Sequence, residues 1–283
     1  MTPAFHLLIV LSLTALSLSA PTDSGNDIDE SSDVSEIISK ANEDIKTPVM
    51  FGDIMPSMSR NAVPCTATGC KWPKYGRYVY VPVSISSTYS RAERNVIIRG
   101  LVSFHRSTCI RFVWRRWQSS YLNFFSGTGC WSYLGRQGGR QSVSLRRNGC
   151  LYQSTIQHEV MHALGFHHEQ VRSDRDQFIQ ILTQNIQPGR EHNFRKVNTN
   201  NLQTPYDFNS VMHYGRTAFS RNGQPTIGDE RQRHRPRQPP LPMLVEHGDE
   251  GVVLQTSPLQ QSCWMRKAGQ RFNGGLTSLW PSA

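Results

Sequence analysis

The stretch of sequence that decides the fold runs from Ile156 to Asp176 and reads IQHEVMHALGFHHEQVRSDRD. On a helix, His158 and His162 are four residues apart, so both imidazoles lie on one face and can bind a single Zn²⁺. Gly165 accepts backbone angles that turn the chain sharply out of the helix, which would bring His168 round as a third ligand. The spacing therefore predicts a catalytic zinc site.

A carboxylate follows the first of these histidines. Glu159 would lie beside the metal, where it can take a proton from a water whose pKa zinc has lowered to about 7. His167 is the residue most easily confused with a ligand, but the spacing favours His168. The competing interpretation is a His-rich amphipathic helix whose histidines are satisfied in a core. The remaining histidines singled out lack such spacing and are expected to be ordinary polar residues: His105, His192 and His213.

A second motif follows about 40 residues later, where residues 210–215 read SVMHYG. Together with the zinc motif it predicts a turn that places Met212 beneath the metal, as in metzincins. Tyr214 in the same turn gains a role from this position. A phenol near the metal can donate a hydrogen bond to the oxyanion that forms when a peptide carbonyl is attacked.

Charge divides the 283 residues into parts. The chain has 31 Lys and Arg against 21 Asp and Glu, a formal net charge of +10. Residues 21–60 carry nine acids and three bases, residues 61–227 carry 21 bases and seven acids, and residues 228–283 carry seven bases and five acids.

The apolar run Phe5–Ala20 is short for a membrane span and ends in small residues, which predicts a cleaved secretory signal over residues 1–20. The alternative is a buried N-terminal segment, because no Lys or Arg precedes the run.

Secretion would place the six cysteines in an oxidising compartment, where an even number favours disulfides over metal thiolates. Counting alone cannot fix their pairing. Local spacing suggests two pairs and leaves two cysteines over: Cys65 with Cys70, Cys130 with Cys150, and Cys109 and Cys263 as the remainder.

Several secondary-structure elements can be predicted from periodicity. Residues 75–86 alternate apolar side chains on one face, which indicates a half-buried strand, and Pro82 favours an edge position. Ser90 and Glu93 form a capping box that opens a helix with one apolar stripe. Short strands are predicted between Gly-rich turns at 110–116, 121–125, 131–134 and 141–147.

The acidic front of the chain has a different character. Residues 21–47 are nearly free of aromatic side chains, a composition that cannot bury enough surface to fold alone and that indicates a pro-segment or linker. Residues 49–54 then form an apolar patch with one carboxylate, Asp53. Such a patch needs a surface on which to lie.

These motifs make the sequence resemble the astacin family of zinc endopeptidases, and within it the fish hatching enzymes, or choriolysins. The family signature continues through Gly165–Glu169 to Arg172, Asp174 and Arg175. Three further stretches carry the hatching-enzyme likeness: NAVPCTATGCKWPK at 61–74, YLNFFSGTGCWSYLGRQGGRQSVSL at 121–145 and SVMHYGRTAFS at 210–220. The resemblance covers roughly residues 49–227.

The resemblance implies an α+β metzincin zinc-protease fold, with a mixed twisted sheet, an active-site helix and two lobes around a cleft. It implies one Zn²⁺ per subunit, with His158, His162 and His168 as ligands. Glu159 would be the general base and acid, and Tyr214 a flexible fifth ligand that moves to the transition state.

The resemblance also implies how the enzyme is kept latent. Residues 21–60 would be the pro-segment, with Asp53 on the zinc, and residues 61–227 the catalytic domain. An activating protease would cut at Arg60–Asn61, and the new terminus would reach inside towards Glu169.

The C-terminal tail, residues 228–283, departs from the family. Family catalytic domains continue through an apolar segment and a helix that ends near a cysteine pairing with the one at Cys109. Here the match fades after about Ile227, the tail is rich in Pro and Arg, and Cys263 is the nearest replacement.

Two functions follow as expectations. The first is a secreted extracellular zymogen, with storage in secretory granules as a further expectation, that digests egg-envelope (chorion) glycoproteins at hatching. The alternative is a catalytically impaired secreted zinc-binding protein, because the family's C-terminal segment is replaced. The basic catalytic segment would attract an acidic substrate or simply form a solvated surface. Neither a membrane nor a nucleic acid is an expected partner, since the bases are scattered rather than gathered in a reader motif.

Overall fold

The computed structural model describes residues 33–46, 48–56 and 70–229. In chain order its α-helices and strands are α1 (Val34–Ala41), β1 (Ile54–Met55), β2 (Lys74–Tyr75), β3 (Tyr78–Ile85), α2 (Arg91–Ser107), β4 (Ile110–Trp114), β5 (Tyr121–Phe125), β6 (Cys130–Tyr133), β7 (Arg140–Leu145), α3 (Gln153–Leu164), β8 (Ile179–Ile181) and β9 (Ile227–Asp229). Several predictions lie outside the described residues: the signal at 1–20, the cut at Arg60–Asn61, Cys65, Cys263 and the tail beyond 229.

The main sheet has seven strands and is mixed, as predicted. Its order is β1-β6-β7-β5-β3-β2, with β4 also paired to β3. The strands β4, β3, β5 and β7 run parallel to one another, whereas β2 and β6 run antiparallel to β3 and β7. The edge position predicted from Pro82 is wrong, because β3 pairs with both β4 and β5. Pro82 is tolerated there because pairing with β5 begins only at Val83.

The core forms on one face of this sheet. Along β3 the alternate residues Val79, Val81, Val83 and Ile85 are buried, as their period of two predicts. Helix α2 begins at the predicted capping box of Ser90 and Glu93 and buries its apolar stripe, Ile97, Leu101 and Phe104, in the same cluster. Helices α2 and α3 cross closely at Gly100, where a Cβ would lie 2.6 Å from Ile156 Cγ2.

A second, smaller apolar cluster is built from the chain that follows α3. It contains Ile179, Ile186, Phe194, Tyr206, Tyr214 and Ile227. Strands β8 and β9 pair antiparallel within this region and tie residues 179–181 to residues 227–229. Two clusters on successive parts of the chain are what a two-lobed fold requires.

The acidic segment is more ordered than its composition predicts. Residues 34–41 form α1, whose first turn is capped by the Asp33 carboxylate accepting from Ser35 N at 2.8 Å. Ile38 and Ala41 are buried in the main core cluster. The helix does not fold alone; it packs on apolar surface that the rest of the chain already supplies.

All four cysteines in the described residues are disulfide-bonded. The predicted bond between Cys130 and Cys150 is confirmed, and it joins the start of β6 to the loop before α3. Cys70 and Cys109 are also disulfide-bonded, while the cysteines considered as their partners, Cys65 and Cys263, lie outside the described residues. No helix in the described part of the chain is long and apolar enough to cross a membrane.

Candidate active site

Helix α3 and the turn after it bring three imidazoles together. His158 and His162 are on one face of α3, and the helix ends at Gly165 with a left-handed φ of 110°. This turn places His168 beside them, as predicted from the spacing. The Nε2 atom of His158 lies 3.1 Å from that of His162 and 3.2 Å from that of His168.

Backbone carbonyls orient two of these rings. The Nδ1 atom of His158 lies 2.6 Å from the carbonyl oxygen of Val211, and Nδ1 of His162 lies 2.7 Å from that of Phe166. A carbonyl can only accept, so each Nδ1 carries the hydrogen and donates it. Each Nε2 is then left with its lone pair directed at the common centre, the arrangement that a metal-binding imidazole needs.

Asp53 closes the fourth side of this centre. Its Oδ2 lies 2.9 Å from His158 Nε2 and 3.2 Å from His168 Nε2, and its Oδ1 lies 3.3 Å from His162 Nε2. The side chain is buried, with the residue only 2% exposed. Burial raises the pKa of Asp53, but the neighbouring imidazoles outweigh burial and hold that pKa well below its usual value.

The donor set fits a zinc ion. One donor atom from each of the four residues lies within 4.8 Å of the other three, and all four side chains are buried. Three imidazole nitrogens and one carboxylate oxygen match the ligands and the coordination number that Zn²⁺ prefers. Within the described residues, Asp53 Oδ1 has no hydrogen-bond donor, which is the state expected of an atom meant for a metal.

Glu159 follows His158 on α3 and lies next to this centre. The side chain is fully buried, and neither carboxylate oxygen has a hydrogen-bond partner among the described residues. Burial, and after it the charge of Asp53, raises the pKa of Glu159 well above its usual value. A buried carboxylate without a structural partner is better explained by chemistry than by stability.

Tyr214 is held by the chain that carries Asp53. Its hydroxyl donates a short hydrogen bond to the carbonyl oxygen of Phe51, and its ring packs against His168 with 4.6 Å between centroids. Burial and the charge of Asp53 raise the pKa of the phenol, so it remains a hydrogen-bond donor. Gly52 makes this approach possible, because a Cβ there would lie 3.0 Å from Phe219 Cζ and 3.3 Å from the Tyr214 oxygen.

Comparison with known proteins identifies the family. Residues 67–237 match the family model described as Astacin, a family of peptidases. The chain belongs to the astacin family. It is therefore a zinc metalloendopeptidase by descent, and the three imidazoles with Asp53 form a group able to hold the one zinc ion of such an enzyme.

Among astacins, the chain is similar to fish hatching enzymes. It is 46% identical over 193 residues to high choriolytic enzyme 2 of Oryzias latipes, covering 68% of this chain and 69% of that protein. It is 43% identical over 233 residues to the low choriolytic enzyme of the same fish, covering 77% of this chain and 86% of that protein. The solved structure of high choriolytic enzyme 1 from Oryzias latipes matches with a TM-score of 0.58 and 47% identity, over 62% of this chain and 89% of that one.

The other predicted astacin positions fall in distinct places. His167, the rejected alternative ligand, is not part of the metal-binding group; it packs edge-on against Phe51, and burial lowers its pKa to about 4. Glu169 accepts hydrogen bonds from Arg172 Nη1 at 2.8 Å and from Asp207 N at 3.0 Å. The terminus at Asn61 that was expected to reach Glu169 lies outside the described residues.

Several contributors to the site were missed by sequence reasoning. The carbonyls of Phe51, Phe166 and Val211 act through the backbone, and a side-chain pattern carries no signal for them. Asn42 was missed too, although it bonds both Gly52 and Cys130. The other histidines are elsewhere: His105 accepts from Phe112 N, His192 bonds Gly189 O, and His213 bonds Tyr206.

Proposed function

We propose that this chain is the latent precursor of a secreted astacin endopeptidase. The observation that carries the proposal is Asp53, whose carboxylate lies within 3.3 Å of all three candidate zinc ligands. In that position the carboxylate takes the coordination site that a substrate carbonyl or water needs. Residues 21–60 are the pro-segment in this proposal, residues 61–227 the catalytic domain and residues 228–283 an atypical tail.

The pro-segment covers more than the metal. Ile54 and Met55 of β1 pair in parallel with Ser132 and Tyr133 of β6, and Ser132 N donates to Asp53 O at 3.1 Å. Removing β1 leaves β6 as an edge strand of the sheet, onto which an extended peptide can add by main-chain hydrogen bonds. Cleavage at Arg60–Asn61 by an activating protease would release β1 and Asp53 together.

In the trimmed enzyme, we assign His158, His162 and His168 as the zinc ligands. Bound zinc supplies a water of lowered pKa and polarises the scissile carbonyl. Glu159 accepts the proton of the attacking water and passes it to the leaving amine. Tyr214, freed from Phe51 O, donates its hydroxyl hydrogen to the developing oxyanion.

The proposed substrates are egg-envelope glycoproteins. Support comes from the similarity to proteins named choriolytic enzymes, at 43–46% identity. Secretion is proposed from the apolar run at residues 5–20, and storage in secretory granules follows from the same route. The basic segment 61–227 adds an attraction to acidic substrates.

A catalytically impaired zinc-binding protein is the second candidate function. The observation that favours it is the Pro- and Arg-rich composition of residues 228–283, which stand where astacins have an apolar segment and a closing cysteine. The experiment must therefore measure zinc content and hydrolysis on the same folded sample.

The test is chelator-sensitive casein cleavage by the secreted full chain before and after trypsin treatment. We expect activity only after trimming, and none from Glu159→Gln, which keeps the shape of the side chain but cannot act as a base. Unprocessed Asp53→Ala should show measurable activity, below that of the trimmed enzyme. Folded, zinc-loaded and trimmed protein without activity would establish the second candidate instead; an unprocessed Asp53→Ala chain as silent as wild type would remove Asp53 as the blocking group.

A further inference from the structure

The sheet region carries an unusual charge distribution. Residues 70–152 contain only one acidic residue, Glu93, against 14 Lys and Arg. Glu93 is already engaged, because it caps α2 and accepts a hydrogen bond from Arg147 Nε at 2.7 Å. Bases therefore greatly outnumber acids in this part of the sequence.

Several of these bases project from the sheet face opposite the helices. Side chains alternate along a strand, so the face that does not carry Val79, Val81 and Phe112 carries Tyr80 and Arg111. Register places them side by side: Tyr80 pairs with Arg111 in β3 and β4, and Tyr121 pairs with Arg140 in β5 and β7. We call this surface the outer sheet face and define it by Tyr78, Tyr80, Arg111, Arg115, Tyr121 and Arg140.

Two guanidinium groups on the outer sheet face are held by stacking. The Cζ atom of Arg111 lies 4.3 Å from the ring centroid of Tyr78, and that of Arg115 lies 4.1 Å from the centroid of Tyr121. Backbone carbonyls fix them further, since Arg111 Nη1 donates to Thr108 O at 2.6 Å and Arg115 Nε donates to Gln118 O at 3.1 Å. A stacked, fixed guanidinium loses little freedom when it binds an oxyanion through its outer edge.

Charge and exposure indicate the occupant. Among the described residues, neither Arg111, Arg115 nor Arg140 makes an ion pair with an acid. Arg111 and Arg115 lie four residues apart along β4 and its continuation, and Arg140 lies on β7, with β3 and β5 between them. The three arginines are therefore spread over several strands of one face, where a chain that carries many anions can contact more than one of them. Exposed aromatic rings lie in the same region, with Trp117 83% exposed and Tyr80 39% exposed. Such rings stack on the apolar faces of sugars, for which an acidic peptide has no equivalent.

From this combination we propose that the outer sheet face binds sulfated polysaccharide. Helix α3, which carries His158 and Glu159, packs on the other face of the sheet, so a bound polysaccharide leaves the hydrolytic site accessible. The surface would hold the protein on an anionic matrix while its active site works on nearby polypeptide. The proposal does not depend on which peptide bonds are cut.

The test compares the binding of the full chain to immobilised dextran sulfate, uncharged dextran and poly-L-glutamate at about 0.1 M salt, where charges beyond about 10 Å are screened. We expect binding to dextran sulfate, weaker binding to poly-L-glutamate and none to dextran. Arg111→Gln/Arg115→Gln/Arg140→Gln should lower the affinity for dextran sulfate about ten- to a hundredfold.

A matched control removes three exposed arginines outside this face: Arg99→Gln/Arg195→Gln/Arg221→Gln. It should lower the affinity less than about threefold. Replacing Arg111, Arg115 and Arg140 by lysine keeps the charge and the fold but removes the planar guanidinium groups. The affinity for dextran sulfate should then fall by an amount between those of the control and the glutamine variant. Equal losses in the glutamine variant and the control would overturn the proposal. So would tighter binding of poly-L-glutamate than of dextran sulfate, which would identify an acidic polypeptide as the ligand.

Discussion

Replacing Asn42 should loosen the docking of residues 33–56 on the rest of the chain. Its amide Nδ2 donates to the carbonyls of Gly52 at 2.9 Å and Cys130 at 2.8 Å, and its Oδ1 accepts from Cys130 N at 2.8 Å. Asn42→Ala removes all three bonds. The two bonds to Cys130 join this segment to the sheet, and at about 0.5–1.5 kcal/mol each their loss should cost the docked state about 1–3 kcal/mol. The undocked state should then be populated about 5 to 150 times more often.

Hydrogen exchange followed by mass spectrometry on the unprocessed chain measures this population. Peptides from residues 33–46 should exchange faster in Asn42→Ala by the same factor, while peptides from α2 should not change. Asn42→Asp keeps the acceptor oxygen and loses the N–H donors, so the exchange rate of residues 33–46 in this variant should lie between those in wild type and in Asn42→Ala. Glu43→Ala changes the exposed neighbouring residue, and its exchange rate should match that of wild type. Wild-type exchange of residues 33–46 in Asn42→Ala would refute the reasoning.

Three further changes test separate parts of the structure. Tyr214→Phe should lower the turnover of the trimmed enzyme by about 10²-fold, the scale of one lost oxyanion donor, with zinc content by metal analysis unchanged. Gly100→Ala should lower the free energy of unfolding in urea by about 1–3 kcal/mol, because its Cβ would meet Ile156 Cγ2 at 2.6 Å. Burial, and after it Arg111, lowers the pKa of His105 to about 4, so on acidification the unfolded chain takes up the proton first. His105 therefore makes its full contribution to the free energy of unfolding above about pH 6.5, and this contribution is lost as the pH falls towards 4. Thermal unfolding at pH 7 and pH 5 should show a smaller difference in His105→Gln than in wild type.

The clustering of His158, His162 and His168 could be predicted from the sequence because their geometry is local. His158 and His162 share a helix face whatever the rest of the chain does, and the left-handed φ of Gly165 is a property of glycine. The Cys130–Cys150 bond and the capping box of α2 are short-range for the same reason. Pro82 misled because its edge preference is statistical, whereas the actual pairing depends on where β5 starts.

Residues 33–56 resisted prediction because their partners are distant in sequence. Asp53 and His158 are 105 residues apart, and Tyr214 and Phe51 are 163 apart. Composition describes whether a segment can fold by itself, and an acidic segment with few aromatics cannot. It says nothing of whether another part of the chain offers a surface. Only the presence of one carboxylate, Asp53, in an apolar patch indicated such a surface, and the resemblance to astacins implied that this carboxylate lies on the zinc.

The docked segment makes three separate contacts at the candidate site, and these contacts determine how the proposed latency should be lost. Asp53 meets the imidazoles, the Phe51 carbonyl holds the Tyr214 hydroxyl, and β1 covers the edge of β6. Asp53→Ala opens only the first, since neither of the other contacts involves the Asp53 side chain. A substrate must still displace β1 from β6 and free Tyr214. Point substitution should therefore release only part of the activity, whereas cleavage at Arg60–Asn61 followed by loss of the segment releases all three contacts at once.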